Sequence, residues 1–321
     1  MEYPLTGIKV LDFSRVLAGP YAARMLAELG AEVVKVEPPE GDMTRNWGKS
    51  IGGLTGYYTH CNLGKRGICV DMLADGAVAL IKDLAKEADI VIENFRPGVM
   101  QRLGISYDIL SAENPRLIML SISGFGQRGP ESHRPAFASV IHAETGLVSR
   151  KSIRTGDPHS DYPVSLGDTN ASLHGITAVL SALYLRSRTG EGQHIDISMV
   201  DASVATDDQL QYDLENSHDT GPLPNDVWMT GLGPIVLATD FRFFWRCLVD
   251  ELGVNDPTTK EMELEQRIFL RRELTAKFML GLQSIEQINE VLDRFNIPWG
   301  QVREPSDLTN QPTLCERETF I

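Results

Sequence analysis

Ile8-Lys9-Val10-Leu11-Asp12-Phe13 opens a stretch that continues through a loop, Ser14 to Pro20, and a helically periodic run, Tyr21 to Leu29. Gly30 follows, then Glu32-Val33-Val34-Lys35-Val36-Glu37. Glycine just past the last periodic residue is the expected end of a helix. The two flanking runs are β-branched and apolar, the composition of buried strands. A strand, a helix and a second strand over some thirty residues make a parallel βαβ unit.

The same alternation spreads outward. Strand signals recur at Ile68 to Val70, Ile90 to Ile92 and Leu117 to Ser121, with helical segments at Gly76 to Ala88 and Tyr107 to Glu113. The pattern predicts an α/β fold, a wound parallel sheet of Rossmann-like type. A loop, Gly124-Phe125-Gly126-Gln127-Arg128-Gly129-Pro130, interrupts it. Beyond lie a long apolar helix (Thr169 to Arg188), a polar turn (Thr189-Gly190-Glu191-Gly192), a strand (His194 to Met199) and a helix (Val200 to Glu215). Residues 221–235 are rich in Gly and Pro and read as loop, and 241–295 read as mostly helical. The expected domains are therefore a large α/β domain, 1–220, and a smaller, mostly helical one, 221–321.

Composition narrows the function. Of 321 residues, 30 are Lys or Arg and 44 are Asp or Glu, a formal charge of −14. Nucleic acid and anionic membranes would be repelled, although a local basic pocket for a phosphorylated ligand is compatible. Cys61, Cys69, Cys247 and Cys315 form no C-x-x-C pair and fit a reduced, cytoplasmic setting. The start, Met1-Glu2-Tyr3-Pro4, lacks a leader pattern, and the apolar run Ile176 to Leu185 is about half a membrane span.

Ligands bind at strand-end loops of parallel sheets, where free backbone amides and helix N-termini converge. Three loops qualify: Ser14 to Pro20, Glu93 to Gly98, and Ser121 to Gly126. None is a P-loop or a G-x-G-x-x-G fingerprint; Gly124 and Gly126 supply only the first two glycines. Arg15, Lys65, Arg66, Arg96 and Arg102 lie near these loops. Each is a solvated surface charge or a phosphate contact, and their joint placement favours an anionic ligand. The seven histidines show no metal-binding spacing, and no G-x-S-x-G elbow is present. Asp168, in Ser165-Leu166-Gly167-Asp168-Thr169-Asn170, is either a helix cap or a nucleophile exposed by its glycine neighbour. Spacing does not decide between the two.

The chain resembles the class III coenzyme A-transferase family, which includes formyl-CoA transferase, carnitine CoA-transferase and the α-methylacyl-CoA racemases. The resemblance runs through Leu5-Thr6-Gly7-Ile8-Lys9-Val10-Leu11-Asp12-Phe13, Ala18-Gly19-Pro20, Leu29 to Glu37 and Gly41-Asp42-Met43-Thr44-Arg45. It continues through Glu93-Asn94-Phe95-Arg96-Pro97-Gly98, Ser123-Gly124-Phe125-Gly126, Gly167-Asp168 and Thr189-Gly190-Glu191-Gly192-Gln193, fades after about residue 221, and returns at Phe295 to Val302. It implies an interlocked homodimer that exchanges CoA between an acyl-CoA and a carboxylic acid, with no permanently bound cofactor. It implies Asp168 as the nucleophile, forming an aspartyl mixed anhydride and then an aspartyl-CoA thioester. The implied CoA contacts are Val16, Leu17, Ala18, Asn62, Lys65, Arg66, Asn94, Phe95, Arg96 and Arg102, with Phe137 near the thioester. Gly231 and Gly233 match the family's mobile glycine loop.

Departures from the family refine these expectations. Leu17 stands where the oxalate-specific branch has a polar amide, and Pro38 where that branch has an arginine, so oxalate is disfavoured. Phe137-Ala138 replaces the His-Asp pair of the racemase branch and removes one of its two bases. The chain stops soon after Pro312, an abbreviated form of the family's C-terminal segment. That abbreviation leaves a catalytically inactive CoA-binding scaffold as the alternative to an active transferase.

Overall fold

The computed structural model describes residues 3–215, 217 and 226–320. They fall into two compact units, Met1–Gln211 and Tyr212–Ile321.

In the first unit, β1 (Lys9–Asp12), α1 (Ala18–Glu28) and β2 (Glu32–Glu37) form the opening βαβ unit. A hairpin of β3 (Ser50–Ile51) and β4 (Leu54–Thr55) leads into α2 (Gly56–Asn62) and β5 (Arg66–Cys69). Next come α3 (Ala77–Lys86), β6 (Ile90–Glu93), α4 (Val99–Arg102), α5 (Tyr107–Glu113) and β7 (Ile118–Ser123). After the glycine-rich loop come α6 (Ala138–Glu144), α7 (Leu147–Thr155), α8 (Leu166–Thr189), β8 (His194–Ser198) and α9 (Met199–Ala205), and the unit ends within α10 (Leu210–Leu214). The helix expected over Val200 to Glu215 is broken, because Asp207 Oδ1 accepts both the Arg150 guanidinium at 2.7 Å and the Gln209 amide at 3.1 Å. Such local bonds compete with the helical ladder.

Among the described residues the main sheet has six parallel strands, ordered β5-β2-β1-β6-β7-β8. Both faces are covered, so successive strand residues enter different cores. Val10, Ile90, Ile92, Ile118 and Leu120 pack with α1, α8 and α9 through Ala22, Leu26, Val179 and Ala202. Leu11, Val91 and Met119 pack on the other face with Ile81, Ala85 and Leu110 of α3 and α5. The chain leaves β1 first towards β2 and β5, then returns to add β6, β7 and β8 on the other side. Strand order therefore reverses between β1 and β6, and the loops beyond their carboxyl ends part to leave a crevice.

In the second unit β9 (Asp226–Thr230) and β10 (Gly233–Leu237) form an antiparallel hairpin. It is joined by α11 (Phe241–Asp250), α12 (Leu264–Leu280), α13 (Ile285–Arg294), β11 (Trp299–Gln301), which pairs with β10, and α14 (Pro312–Glu316). Trp228, Ile235, Phe244, Trp245, Leu248 and Ile288 build its core. The hairpin corrects the loop expected over 221–235, so far as those residues are described: Trp228 and Thr230 point inward while Val227 and Met229 face out. No described helix is long and apolar enough to cross a membrane.

Candidate active site

The crevice between β1 and β6 is built from the two loops that the opening sequence singles out. After β1 the chain turns through Ser14, Arg15 and Val16 into α1. Val16 adopts φ 67°, a left-handed conformation that costs a β-branched residue on the order of 1–3 kcal/mol. Two partners hold it there. Asp42 Oδ2 accepts the Val16 amide at 3.1 Å, and Asp42 is itself paired with the buried Lys35 at 3.3 Å. Asn94, just beyond β6, clamps the preceding residue by accepting Arg15 N at 2.7 Å and donating to Arg15 O at 2.8 Å. Gly19 belongs to the same turn: a Cβ there would lie 2.2 Å from Ser14 Cβ.

Asp168 lies in the first turn of α8 and is 8% exposed. Ser165, three residues earlier, occupies the cap position and makes no side-chain capping bond. Asp168 is therefore not the cap. Burial pushes its carboxyl up to about 6, against the opposing pull of the Ala18 amide, His142, its own amide and the Ala138 amide. Ala18, Ala138 and Asp168 lie in the first turns of α1, α6 and α8, so three helix starts converge on one carboxylate. Ser172 ties two of these helices together, donating to Ala18 O at 2.6 Å and to Asp168 O at 2.8 Å.

Two cavities meet at this group, and another adjoins one of them. One of about 260 Å³ is lined by Val16, Ala18, Asn94, Phe95, Arg96, Phe137 and Asp168. A second, of about 510 Å³, shares Arg15, Phe95 and Arg96 with it and extends to Pro38, Asp71 and Leu73. A third, of about 440 Å³, shares Val16, Phe137 and Asp168 with the first and adds Leu17, Trp47, Tyr57, His142 and Tyr162. The Arg15 guanidinium lies over the Phe95 ring, 5.3 Å from its centroid.

Eight of the expected site residues thus come together: Val16, Leu17, Ala18, Asn94, Phe95, Arg96, Phe137 and Asp168. Four do not line these cavities. Lys65 points its ammonium into the fold, donating to Asp12 Oδ2, Pro20 O and Asn62 Oδ1, each at 2.8 Å. Asn62 is buried beside it and donates to Tyr58 O. Asn62 and Lys65, with Arg66, line a separate cavity of about 210 Å³. Arg66 is a surface group paired with Glu32 at 3.3 Å, and Arg102 is exposed on α4. Gly231 and Gly233 belong to the β9–β10 turn of the second unit, where Gly233 has φ 108°.

Sequence spacing passed over two residues. Arg134 lines the first cavity, held by Glu131 and Glu144 and lying 4.6 Å from the Phe125 ring centroid. His142 is fully buried. Its Nδ1 is 2.7 Å from Asp161 Oδ1, and its Nε2 accepts the Gly167 amide at 3.3 Å. That acceptance leaves Nδ1 as the protonated nitrogen, donating to Asp161.

With this geometry established, the comparisons with known proteins are specific. The chain belongs to CoA-transferase family III, which matches residues 5–321, and is a CoA-transferase enzyme. It is 33% identical to the acetyl-CoA:oxalate CoA-transferase of Acetobacter aceti, over 99% of this chain and 85% of that one. It is 31% identical to the succinyl-CoA–D-citramalate CoA-transferase of Chloroflexus aurantiacus, over 99% and 83%. A crystal structure of a CaiB/BaiF family protein from Brucella suis superposes with a TM-score of 0.84 at 29% identity, covering 100% of this chain and 89% of that one.

Proposed function

We propose that the chain moves CoA from an acyl-CoA to a carboxylic acid by covalent catalysis on Asp168. The observation that carries this reading is a buried carboxylate shared by two cavities and facing three helix starts. With its carboxyl at about 6, roughly nine in ten Asp168 side chains are ionised at neutral pH. An Asp168 oxygen attacks the thioester carbon, the C–S bond breaks, and CoA departs as the thiolate. The aspartyl anhydride then returns to thioester: the thiolate attacks the aspartyl carbonyl and the original acid leaves. The acceptor carboxylate next attacks that aspartyl-CoA to regenerate free thiolate and a new anhydride, whose acyl carbon the thiolate takes, freeing Asp168. Each step divides one hard exchange into easier ones. Backbone amides at the helix starts supply donors for the oxyanions, each worth about 10²–10³ in rate.

CoA enters through the larger cavity, with Arg15 and Arg96 facing its phosphates and the pantetheine arm reaching Asp168 through the smaller one. Binding energy from that distant portion positions the thioester. In this reading 1–220 is the CoA-binding and catalytic domain, 221–321 the small domain, and two copies interlock. No permanent cofactor takes part. Hydroxylamine trapping tests the proposal: acyl-CoA plus hydroxylamine yields acyl hydroxamate and free CoA with the native chain and neither with Asp168→Ala, while CoA still binds. Native chain that forms no Asp168 adduct with any thioester is instead the inactive scaffold.

A further inference from the structure

We infer that the third cavity is an acyl-group subsite built for an uncharged aromatic or branched apolar acyl chain rather than for the half-ester of a dicarboxylic acid. The inference rests on the transferase reading above, because it concerns the group that the attacked thioester carries. Asp168 stands between the cavity that leads to the nucleotide end and this one, so the part of the thioester beyond the carbonyl points here.

The walls are aromatic and aliphatic. Trp47 and Tyr57 meet edge to face with centroids 5.3 Å apart, and Leu17, Phe137, Tyr162 and Val164 complete the apolar lining. Trp47, Phe137 and Val164 are 40%, 58% and 55% exposed, unusual for large apolar side chains grouped round one carboxylate. A flat or branched acyl group would cover them. The cavity's volume of about 440 Å³ accommodates one.

The carboxylates among the lining residues are Asp161 and Asp168. Asp161 lines the cavity with its carboxylate bonded to His142, and Asp168 is the second acid. Burial pushes Asp161 up, but bonds from His142 and the Tyr162 amide leave it below its ordinary value, so it is anionic at neutral pH. Lys151 lies 5.2 Å from the Tyr162 ring centroid, with its ammonium engaged by Ser160 Oγ at 3.0 Å and Asp161 O at 2.9 Å. No lysine or arginine is among the described residues that line the cavity. A succinyl or oxalyl group would therefore bring a third carboxylate into a space that already holds two. The relatives named for oxalate and D-citramalate handle such di-acids. This subsite is shaped for something else.

The test compares kcat/KM for hydroxamate formation by the native chain with benzoyl-, phenylacetyl-, isobutyryl-, succinyl- and oxalyl-CoA. Asp168 attacks the acyl carbon and expels CoA; hydroxylamine nitrogen then attacks the same carbon, the anhydride C–O bond breaks, and Asp168 is restored. The expected result is an advantage of about tenfold or more for the aromatic or branched acyl groups over succinyl and oxalyl. Val164→Arg, at an exposed position on the rim, should narrow that gap by raising kcat/KM for succinyl-CoA. Succinyl- or oxalyl-CoA reacting as well as the apolar thioesters would overturn the subsite while leaving Asp168 chemistry standing. No hydroxamate from any thioester would overturn the transferase reading and the subsite together.

Discussion

Asp42 Oδ2 stands 3.1 Å from the Val16 amide and 3.3 Å from Lys35 Nζ, so one buried carboxylate both neutralises a buried lysine and pins the strained turn beside Asp168. Lys35 and Asp42 are each about 1% exposed. Asp42→Ala leaves the Lys35 ammonium in the interior without its ion-pair partner, held by Ser14 O at 2.8 Å and the fields of Asp12 and Glu37. Removing one partner of a buried pair typically costs about 3–5 kcal/mol. The expected outcome is an unfolding free energy that falls by that much, read from a lower urea midpoint at an unchanged m-value. A loss under about 1 kcal/mol would mean that the pair does not hold the turn.

Asp168 should lower the stability of the enzyme it serves. Its folded carboxyl, near 6, exceeds the ordinary value of 3.8 because burial penalises the charge. The native state therefore binds the proton more tightly than the unfolded chain, and stability is lost as pH rises from about 4 through about 6. At pH 8 the full penalty is present, on the order of 1–3 kcal/mol. Asp168→Asn should melt higher than the native chain at pH 8, with the advantage shrinking towards pH 4. Parallel melting curves at the two pH values check both the sign and the window.

The same proton sets an acid limit on turnover. Only the ionised carboxylate attacks the thioester, so kcat/KM should hold level above about pH 7 and fall tenfold per unit well below 6. A limb centred near 4 would place the carboxyl in water rather than in the buried setting described here. Trapping with hydroxylamine across pH 4.5–8 makes the measurement, with stopped-flow mixing to stay ahead of acid unfolding.

The sheet was legible because strand and helix periodicities alternate cleanly from Ile8 to Ser121, and the order reversal at β1 and β6 fixes where a crevice must open. The β9–β10 hairpin was not: Gly221, Pro222, Pro224, Gly231, Gly233 and Pro234 outweighed the period-2 alternation of Val227, Trp228, Met229 and Thr230. Lys65 shows what charge near a loop leaves open. Sequence gives a cation's position along the chain but not the direction of its donors, and these turn inward to Asp12. Asp168 was ambiguous between cap and nucleophile until Ser165 proved to hold the cap position.

His142 lay furthest beyond the sequence, since its partners are 19 and 25 residues away and no short spacing links them. Its two nitrogens join Asp161 to the Gly167 amide, the residue immediately before Asp168, so the ring fixes how the first turn of α8 presents the carboxylate. His142→Phe keeps the volume roughly but leaves the Gly167 N–H without an acceptor and Asp161 with the Tyr162 amide but no imidazole donor, a loss of about 1–3 kcal/mol. Misplacement of a reacting group by about 1 Å can cost 10²-fold in rate, so kcat should fall by about 10- to 100-fold while KM for acyl-CoA barely moves. Glutamine offers both an acceptor and a donor, and His142→Gln should recover most of the turnover. Folded protein of the two variants, counted by active-site titration, separates positioning from stability. Equal kcat per active site for Phe and Gln would reduce His142 to packing.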